Sequence, residues 1–289
     1  MKAALHKSAI PETQIFQVRH LRDPHFDPVW HAHSEYQLFL VLQGSGTRFI
    51  GDSITHFGPG ELVFTGPHLP HLWRSDEAYF RPGSNLEVEG IVVYLNEHFL
   101  GNDILKKTEM VGLQKFFERS LRGLQFQGTV RSKVARMLQN LCTLHGLPSV
   151  ILLLQMLDLL ASTHEFDYVS SRTYEGHETE QEKDRVNLVY AYLLRNFKNK
   201  ISLEEIAALL HMTPTSFSRY FTSKTGRPFS RFLAEIRISH ACKLLTNTEA
   251  TVAQVCYECG YSTLSNFNKH FREIMHQNPV QYKREFLSI

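Results

Sequence analysis

The sequence predicts an α+β protein in which an N-terminal β-barrel and a helical segment precede an all-α domain of two helix-turn-helix units. Three observations predict this fold. Short apolar runs separated by glycine and proline turns fill residues 15–95, as is typical of a barrel or sandwich. After Asn102, apolar residues recur every three or four positions, which indicates helices. The last hundred residues contain one pattern twice, which indicates a duplicated unit.

The β-rich part is predicted to be the first domain, residues 1–105. Its clearest strand is Tyr36–Leu42, which is followed by the glycine turn Gly44–Gly46. A further apolar strand is expected at Glu61–Thr65, and Leu86–Leu95 completes the series. Because turn residues at this spacing leave room only for short strands, we expect a small barrel or sandwich.

The next segment, residues 106–165, is predicted to be helical, and residues 166–182 are predicted to form a linker. Within the helical segment, Leu152–Leu160 is apolar on nearly every side. Such a helix must be buried against neighbouring helices or against another subunit. Both alternatives fit the pattern, and the segment is the candidate for homodimerisation.

The C-terminal domain, residues 183–289, contains the sequence of helix, tight turn and helix twice. Ile206 corresponds to Val255, 49 residues later, whereas Phe217 and Phe267 are 50 residues apart. The second copy therefore contains one extra residue at its turn. Two such units in tandem predict a device that holds two helices against DNA.

The second helix of each copy is predicted to begin on a hydroxyl residue, because serine and threonine are preferred N-caps. In the first copy the cap is Thr213, followed by Pro214 at a position where proline is favoured. In the second copy Ser262 is the expected cap. Ser230–Leu245, between the copies, has no proline or glycine. One long helix can therefore fix the two units about 34 Å apart, which is the spacing of successive major grooves.

Charge is distributed unevenly along the 289 residues. The formal net charge is +2, yet residues 183–289 carry 15 Lys+Arg and 8 Asp+Glu, and the first 182 residues carry 16 and 21. The excess of positive charge in residues 183–289 indicates that this domain alone binds a phosphate-bearing partner. We predict that this partner is double-stranded promoter DNA.

The cysteines and apolar runs exclude other classes of protein. The pair Cys256 and Cys259 has no second C-x-x-C partner, so both residues are predicted to be packing residues of a helix. No apolar run is long enough to span a bilayer, and the N-terminus does not resemble a secretion signal. We therefore expect a cytoplasmic, reduced protein that does not contact a membrane.

The outward faces of the two second helices provide the candidate DNA contacts. Phe217 and Phe221, like Phe267 and Phe271, are expected to face inward. The opposite faces then present Thr215, Ser218, Arg219 and Thr222 in the first copy, and Leu264, Ser265, Asn268, Lys269 and Arg272 in the second. Arginine and lysine can pair with guanine edges, asparagine with adenine, and apolar groups with thymine methyls.

These motifs resemble the AraC/XylS family of bacterial transcription regulators over residues 183–286. The resemblance is carried chiefly by Phe217–Phe221, Gly260–Ser262 and Asn278–Tyr282. It implies that base or groove contacts are made by Thr215, Ser218, Arg219, Leu264, Ser265 and Lys269. One departure is His276, where the family usually has glycine at the end of the last recognition helix.

Three histidines indicate a second candidate site, in the N-terminal domain. His31 and His33 alternate, and His71 follows on a later strand. Residues 31, 33, 35 and 37 of one strand would share a face. The pattern looks like a cupin barrel, except that Gln37 stands where a cupin has glutamate. The candidate effector-binding residues are Trp30, His31, His33, Gln37, His71 and Trp73.

Two kinds of ligand fit these residues. Three imidazoles with a carboxylate such as Glu35 can bind a transition metal. The resemblance implies instead a small effector, such as a sugar, that binds without a metal, and indole faces beside polar donors suit a sugar ring. The prediction is that no metal or cofactor is bound, and the metal alternative has His31, His33 and His71 as its ligands.

The sequence therefore predicts a sequence-specific transcription regulator that is controlled by a sugar or metabolite and is not an enzyme. The resemblance favours activation, with a homodimer and RNA polymerase as further partners. Two alternatives are a metal-dependent cupin sensor or enzyme fused to a DNA-binding domain, and an architectural DNA-binding protein whose barrel only dimerises.

Overall fold

The computed structural model describes residues 10–11, 13–171, 180–247 and 249–287. They form two compact units that divide near residue 178. The strands are β1 (Phe16–Asp23), β2 (Tyr36–Gln43), β3 (Gly46–Ile50), β4 (Ser53–Phe57), β5 (Leu62–Thr65), β6 (His71–Ser75), β7 (Val88–Leu95), β8 (Leu124–Phe126) and β9 (Phe166–Tyr168). All nine are arranged in two sheets.

The helices are distributed over both units. The N-terminal unit contains α1 (Asn102–Leu105), α2 (Val111–Ser120), α3 (Gly128–Leu141) and α4 (Leu147–Ser162), with short 3-10 turns at Glu77–Phe80 and Thr108–Met110. The C-terminal unit contains α5 (Glu180–Asn196), α6 (Leu203–Leu209), α7 (Pro214–Thr225), α8 (Phe229–Asn247), α9 (Val252–Glu258), α10 (Leu264–Met275) and α11 (Pro279–Leu287). Among the described residues, no helix combines the length and the apolar character needed to cross a membrane.

The α+β class is confirmed, but the predicted barrel is not closed. Six strands form one sheet in the order β1-β7-β2-β5-β8-β9, and three form a second in the order β4-β3-β6. The larger sheet ends at β1 and β9, and the smaller ends at β4 and β6, so two layers replace a continuous ring. Alternating apolar residues and turns specify strands, but they do not specify which strand edges hydrogen-bond to each other.

The strand β2 is apolar on both faces because both faces are covered. Leu38 and Leu40 belong to a core shared with α2, α3 and α4. Phe39 and Val41 point the other way, into a second core that includes Trp73 of the smaller sheet. Burial on both sides explains why this strand appears in the sequence as a continuous apolar run.

The apolar helix α4 packs within its own chain on one side only. Met156 and Leu160 are fully buried in the core beneath the larger sheet. Leu147 and Ile151 are 69% and 48% exposed. An intrachain core therefore accounts for one face of α4 and leaves Leu147 and Ile151 outside it.

The C-terminal unit is organised around α8, the single long helix that the sequence predicts. Phe229 and Phe232 of α8 contact the Phe221 ring at centroid distances of 5.8 and 5.1 Å. Further along, Ile238 and Leu245 of α8 lie in the core that contains Phe267 and Phe271. Each end of α8 thus supplies part of the core of one helix-turn-helix unit.

Candidate functional site

The supporting helices α6 and α9 both begin with a reciprocal capping box. The Ser202 hydroxyl accepts a hydrogen bond from the Glu205 backbone N–H at 3.1 Å, and the Glu205 carboxylate accepts one from the Ser202 N–H at 3.4 Å. Thr251 and Gln254 repeat the arrangement at 3.3 and 2.8 Å. Because each box satisfies two donors at the helix start, these seven-residue helices begin at defined positions.

The recognition helices α7 and α10 each begin on a threonine. Thr213 accepts from the Ser216 backbone N–H at 3.2 Å, as predicted. The prediction that Ser262 caps α10 is wrong, because Thr263 accepts from the Asn266 backbone N–H at 3.4 Å. Both residues have a suitable hydroxyl, so the cap is decided by where the turn ends.

The turns show where the second copy has its extra residue. In the first copy the Met212 N–H donates to the Ala207 carbonyl, and in the second the Tyr261 N–H donates to the Cys256 carbonyl. Met212 and Tyr261 are therefore equivalent, since Ala207 and Cys256 are 49 residues apart. Met212 is followed at once by its cap, whereas Ser262 is inserted before Thr263.

The recognition helices also end alike, in a left-handed residue. Gly226 ends α7 with φ 76°. The equivalent residue after α10 is His276, with φ 56°. His276 therefore takes a conformation that favours glycine, which explains the family's preference for glycine at this position.

The proposed DNA contacts lie on the sides of α7 and α10 that face away from the core. Phe217, Phe221, Phe267 and Phe271 are buried. The contact candidates are exposed or half-buried: Thr215, Ser218 and Arg219 on α7, and Leu264, Ser265, Asn268 and Lys269 on α10. The predicted inward and outward faces thus agree with the burial, and the base contacts themselves stay predictions.

An ionic network centred on a buried glutamate connects the two recognition helices through α8. Glu235 of α8 is 7% exposed and forms an ion pair with Arg227, which follows α7. Its carboxylate also accepts from Arg231 at 3.0 Å, and Arg231 lies 3.4 Å from the Glu273 carboxylate on α10. Sequence reasoning missed this network because its members lie on three different elements.

Arg237 ties the start of the C-terminal unit to α8. Its guanidinium donates to the Phe197 and Asn199 carbonyls at 2.8 Å each and lies 5.5 Å from the centroid of the Tyr261 ring. Burial lowers the pKa of Arg237 from its ordinary value, although an arginine stays charged at neutral pH. Arg237 therefore positions the turn of the second helix-turn-helix unit, which contains Tyr261.

The cysteines of the C-terminal unit are buried and free. Cys242, Cys256 and Cys259 all lie in the core that contains Phe267. Burial raises the pKa of the Cys242 thiol to about 12 and raises that of Cys259 as well. A protonated, inaccessible thiol is unreactive, which agrees with the predicted packing role.

The three histidines of the N-terminal unit converge. His31 and His71 form an antiparallel backbone bridge with N–H to carbonyl distances of 3.2 and 2.8 Å. The ring centroids of His31 and His33 lie 4.6 and 4.9 Å from that of His71. One nitrogen of each ring lies within 4.8 Å of the other two.

The predicted strand over residues 31–37 is wrong in its first half, because β2 begins at Tyr36. His31 and His33 precede the strand, and His33 reaches Gln37 from the loop, with Nε2 3.1 Å from the amide oxygen. Glu35 is buried and lies 3.5 Å from His33 Nδ1. The residues meet as predicted, although strand alternation is not what aligns them.

A cavity of about 80 Å³ lies beside these histidines and is here called the histidine cavity. Four predicted effector-binding residues line it: His31, Gln37, His71 and Trp73. His33 adjoins it through its ring contacts with His31 and His71. Trp30 is buried and is not among the residues that line the cavity.

Tyr94 and Asp27 also line the cavity and were missed by sequence reasoning. Tyr94 on β7 pairs with Gln37 on β2, so the strand register brings both side chains to one face. Burial raises the pKa of the Tyr94 phenol, which therefore remains a hydrogen-bond donor at neutral pH. A polar ring in the apolar run Ile91–Leu95 was the available signal.

Trp73 is not a free indole on which a sugar ring could stack and hydrogen-bond. The Trp73 indole N–H donates to Glu61 at 3.0 Å, and Glu61 forms a buried ion pair with Arg48 at 3.0 Å. The indole donor of Trp73 is therefore already engaged, and only the ring of this residue faces the cavity.

Comparisons with known proteins agree with this two-unit arrangement. A family model described as an AraC-like ligand binding domain matches residues 14–145, and one described as a helix-turn-helix domain matches residues 206–285. Together the two matches cover most of the chain. A β-rich ligand-binding unit with a paired helix-turn-helix unit defines a DNA-binding transcription regulator. The chain belongs to the AraC family of such regulators.

Individual relatives are also regulators by description. The HTH-type transcriptional regulator YdeC of Bacillus subtilis is 23% identical over 263 residues, which cover 88% of this chain and 85% of that protein. An HTH-type transcriptional regulator of Staphylococcus aureus is 32% identical over 129 residues, or 45% of this chain. The chain spans only 17% of the length of that relative.

Two solved structures are similar to all or part of this chain. ToxT from Vibrio cholerae is 12% identical, with coverage of 95% of this chain and 99% of that chain and a TM-score of 0.39. The DNA-binding domain of AdpA in complex with a target DNA is 27% identical, with coverage of 35% and 90% and a TM-score of 0.34.

Proposed function

We propose that this regulator activates transcription, that it binds promoter DNA as a homodimer, and that a compact small molecule in the histidine cavity controls it. The proposed division is residues 1–105 for effector binding, 106–165 for dimerisation, 166–182 as linker and 183–289 for DNA binding. The linker so defined is not wholly irregular, because β9 (Phe166–Tyr168) pairs with β8 and α5 begins at Glu180. Activation and contact with RNA polymerase are proposed from the family resemblance. A regulator that binds the chromosome acts in the cytoplasm.

The observation that carries the DNA-reading part of the proposal is the matched pair of recognition helices. Both begin on a threonine cap and bury two phenylalanines, and both leave a polar and basic face exposed. Arg219 on α7 and Lys269 on α10 are both exposed. Each is two residues from two buried rings, a spacing that places its side chain on the opposite side of the helix from the core.

Arg219 provides the sharpest test. We expect Arg219→Ala to weaken binding to a promoter fragment selected from genomic DNA by about 1–3 kcal/mol, and binding to random DNA by less, if the guanidinium pairs with a base. Lys269→Ala is measured in the same way, at several salt concentrations. Fluorescence anisotropy with both DNAs gives the two affinities for each variant.

Lys200→Ala is the matched control, because it removes one exposed positive charge of the same unit outside both recognition helices. It should change the affinities for promoter and random DNA by the same small factor. Equal losses on the two DNAs for Arg219→Ala would assign Arg219 to phosphate contact instead of base recognition. Failure of the wild-type protein to prefer any genomic fragment would refute the proposal.

The size of the histidine cavity supports a compact effector. Pockets for organic ligands usually have about 300–1,000 Å³, whereas this cavity has about 80 Å³. A sugar ring placed against Trp73 and Tyr94 would require the cavity to widen. Thermal shifts with sugars, small acids and metal ions compare these classes, and stabilisation by a ligand identifies a binder.

The exposed side of α4 supports the homodimer. Leu147 and Ile151 are one helical turn apart and exposed, so they form an apolar pair at the N-terminal end of α4. A regulatory role is further supported by the description of the relatives as transcriptional regulators.

A further inference from the structure

The orientation of the three imidazoles restricts what the histidine cavity binds. The Nδ1 atoms of His31, His33 and His71 lie 2.7, 3.0 and 2.8 Å from the backbone carbonyl oxygens of Val29, Glu35 and Leu69. A carbonyl oxygen can only accept a hydrogen bond, so each Nδ1 carries the ring proton. In the neutral rings Nε2 of His31 and His71 then has a lone pair. Nε2 of His33 lies 3.1 Å from the Gln37 side-chain amide, and it has a lone pair as well when that amide is turned so that its NH2 group donates.

This pattern is that of histidines prepared for a metal. A metal-binding histidine usually donates its other ring N–H to a carbonyl or carboxylate, which fixes the tautomer and the ring orientation. Here three rings have that arrangement, and one nitrogen from each lies within 4.8 Å of the others. The buried Glu35 carboxylate, 3.5 Å from His33 Nδ1, adds to the same outer shell.

The space available also favours an ion. A water molecule needs about 10–15 Å³ of such volume, so the cavity of about 80 Å³ accommodates an ion with a few waters or a very small anion. Gln37 and Tyr94 line it and offer hydrogen bonds to such a ligand. Three imidazoles suit zinc and its neighbours in the first transition series, whereas calcium and magnesium prefer oxygen ligands.

We propose that His31, His33 and His71 bind one divalent transition-metal ion of the zinc class, and that this ion is the effector or holds it. The inference rests on the proposed function in taking the histidine cavity as the effector site. The sequence analysis favours a small organic effector over a metal, and the structure favours the metal. The difference arises because the histidine tautomers and the cavity volume depend on the fold.

The test uses the full chain, freed of metal by a chelator that is then removed. The protein is titrated with Zn²⁺ by calorimetry and with Co²⁺ by visible absorption. We expect one ion per chain and the ligand-field bands of nitrogen-bound Co²⁺. The Trp73 ring centroid is 5.6 Å from that of His71, so Co²⁺ binding should also quench tryptophan fluorescence.

Variants locate the ion. His31→Ala and His33→Ala change half-buried residues and should each weaken Zn²⁺ binding by at least about 100-fold, since even outer-shell changes cost 10–100-fold. His71→Ala should do the same, with folding checked by thermal melting. His98→Ala is the control, because His98 is exposed and outside the histidine cavity, and it should leave the affinity unchanged.

Two results would overturn the assignment. One is the absence of stoichiometric Zn²⁺ and Co²⁺ binding by the wild-type chain, which needs no variant. The other is wild-type affinity in the variant that lacks both His31 and His33. Promoter binding is measured on the same preparations: protein that binds promoter DNA without taking metal disproves the metal site alone, whereas protein that prefers no DNA disproves the proposed function.

Discussion

Glu235 is the residue through which the structure predicts that α8 holds both recognition helices. Its carboxylate forms ion pairs with both Arg227 and Arg231. Arg231 also forms an ion pair with Glu273 on α10. Glu235→Gln keeps the shape of the side chain but removes its charge and replaces one acceptor oxygen with a donor. The variant should therefore destabilise the C-terminal unit without creating a cavity.

The expected loss follows from the surroundings of the two arginines. Hydrogen bonds to charged groups contribute about 1.5–3 kcal/mol each. The Arg231 side chain is 37% exposed, whereas that of Arg227 is 20% exposed. Because water can replace much of the Arg231 interaction, most of the loss arises at Arg227, and we expect about 2 kcal/mol in total.

The assay is urea unfolding followed by two probes. Far-UV circular dichroism reports helices in both units, whereas tryptophan fluorescence reports the N-terminal unit alone, because Trp30 and Trp73 are the two tryptophans of the chain. Glu235→Gln should shift a helical transition and leave the fluorescence transition in place.

Glu258→Gln is the matched control for Glu235→Gln. Glu258 faces Lys198 at 3.9 Å and is 49% exposed, so its loss should cost less than about 0.5 kcal/mol. Equal losses from the two glutamine variants would refute the reasoning that the ion pairs of buried Glu235 hold the unit together.

Three further predictions concern the same unit. Thr263→Ala should destabilise it by about 1 kcal/mol, and Ser262→Ala should leave the urea midpoint unchanged, because only Thr263 caps α10. His276→Gly should stabilise it by about 0.5–1 kcal/mol by removing left-handed strain, whereas Gly226→Ala at the equivalent position should destabilise it by a similar amount. Burial lowers the pKa of His270, so the unfolded chain binds this proton more readily. Stability should therefore fall as the pH drops below about 6.5, and His270→Gln should flatten that fall in urea midpoints measured across this range.

The helix-turn-helix units could be predicted closely because their signals are local. A cap joins a hydroxyl to a backbone N–H three residues later, as at Thr213 and Ser216, so neighbouring residues contain the whole interaction. The error at Ser262 has the same origin. Ser262 and Thr263 offer the same chemistry, and the choice depends on the hydrogen bond from the Tyr261 N–H to Cys256, which closes the turn.

The histidine cavity could be predicted only in outline because its geometry is non-local. The pairing of Gln37 with Tyr94 depends on strand register, which a period-two pattern does not specify between strands so distant in the chain. The tautomers of the histidines depend on carbonyl groups such as that of Leu69. Composition and spacing contain no information about where a carbonyl points, so sequence reasoning could place the residues but not choose between metal and sugar.

Any ligand of the histidine cavity controls DNA binding only if it has different affinities for two states of the protein. A short series of backbone pairings and hydrogen bonds leads from His71 to the residues at which the chain leaves the N-terminal unit. His71 pairs with Ile50 at the end of β3, and Asp52, two residues later, accepts hydrogen bonds from the Ser170 hydroxyl at 2.7 Å and the Ser171 N–H at 2.8 Å. In the chain, these serines follow β9 and precede the C-terminal unit. A ligand that displaced His71 would act on the pair of β3 and β6, which ends two residues before Asp52. This path would couple the cavity to the serines without any contact between the ligand and the recognition helices.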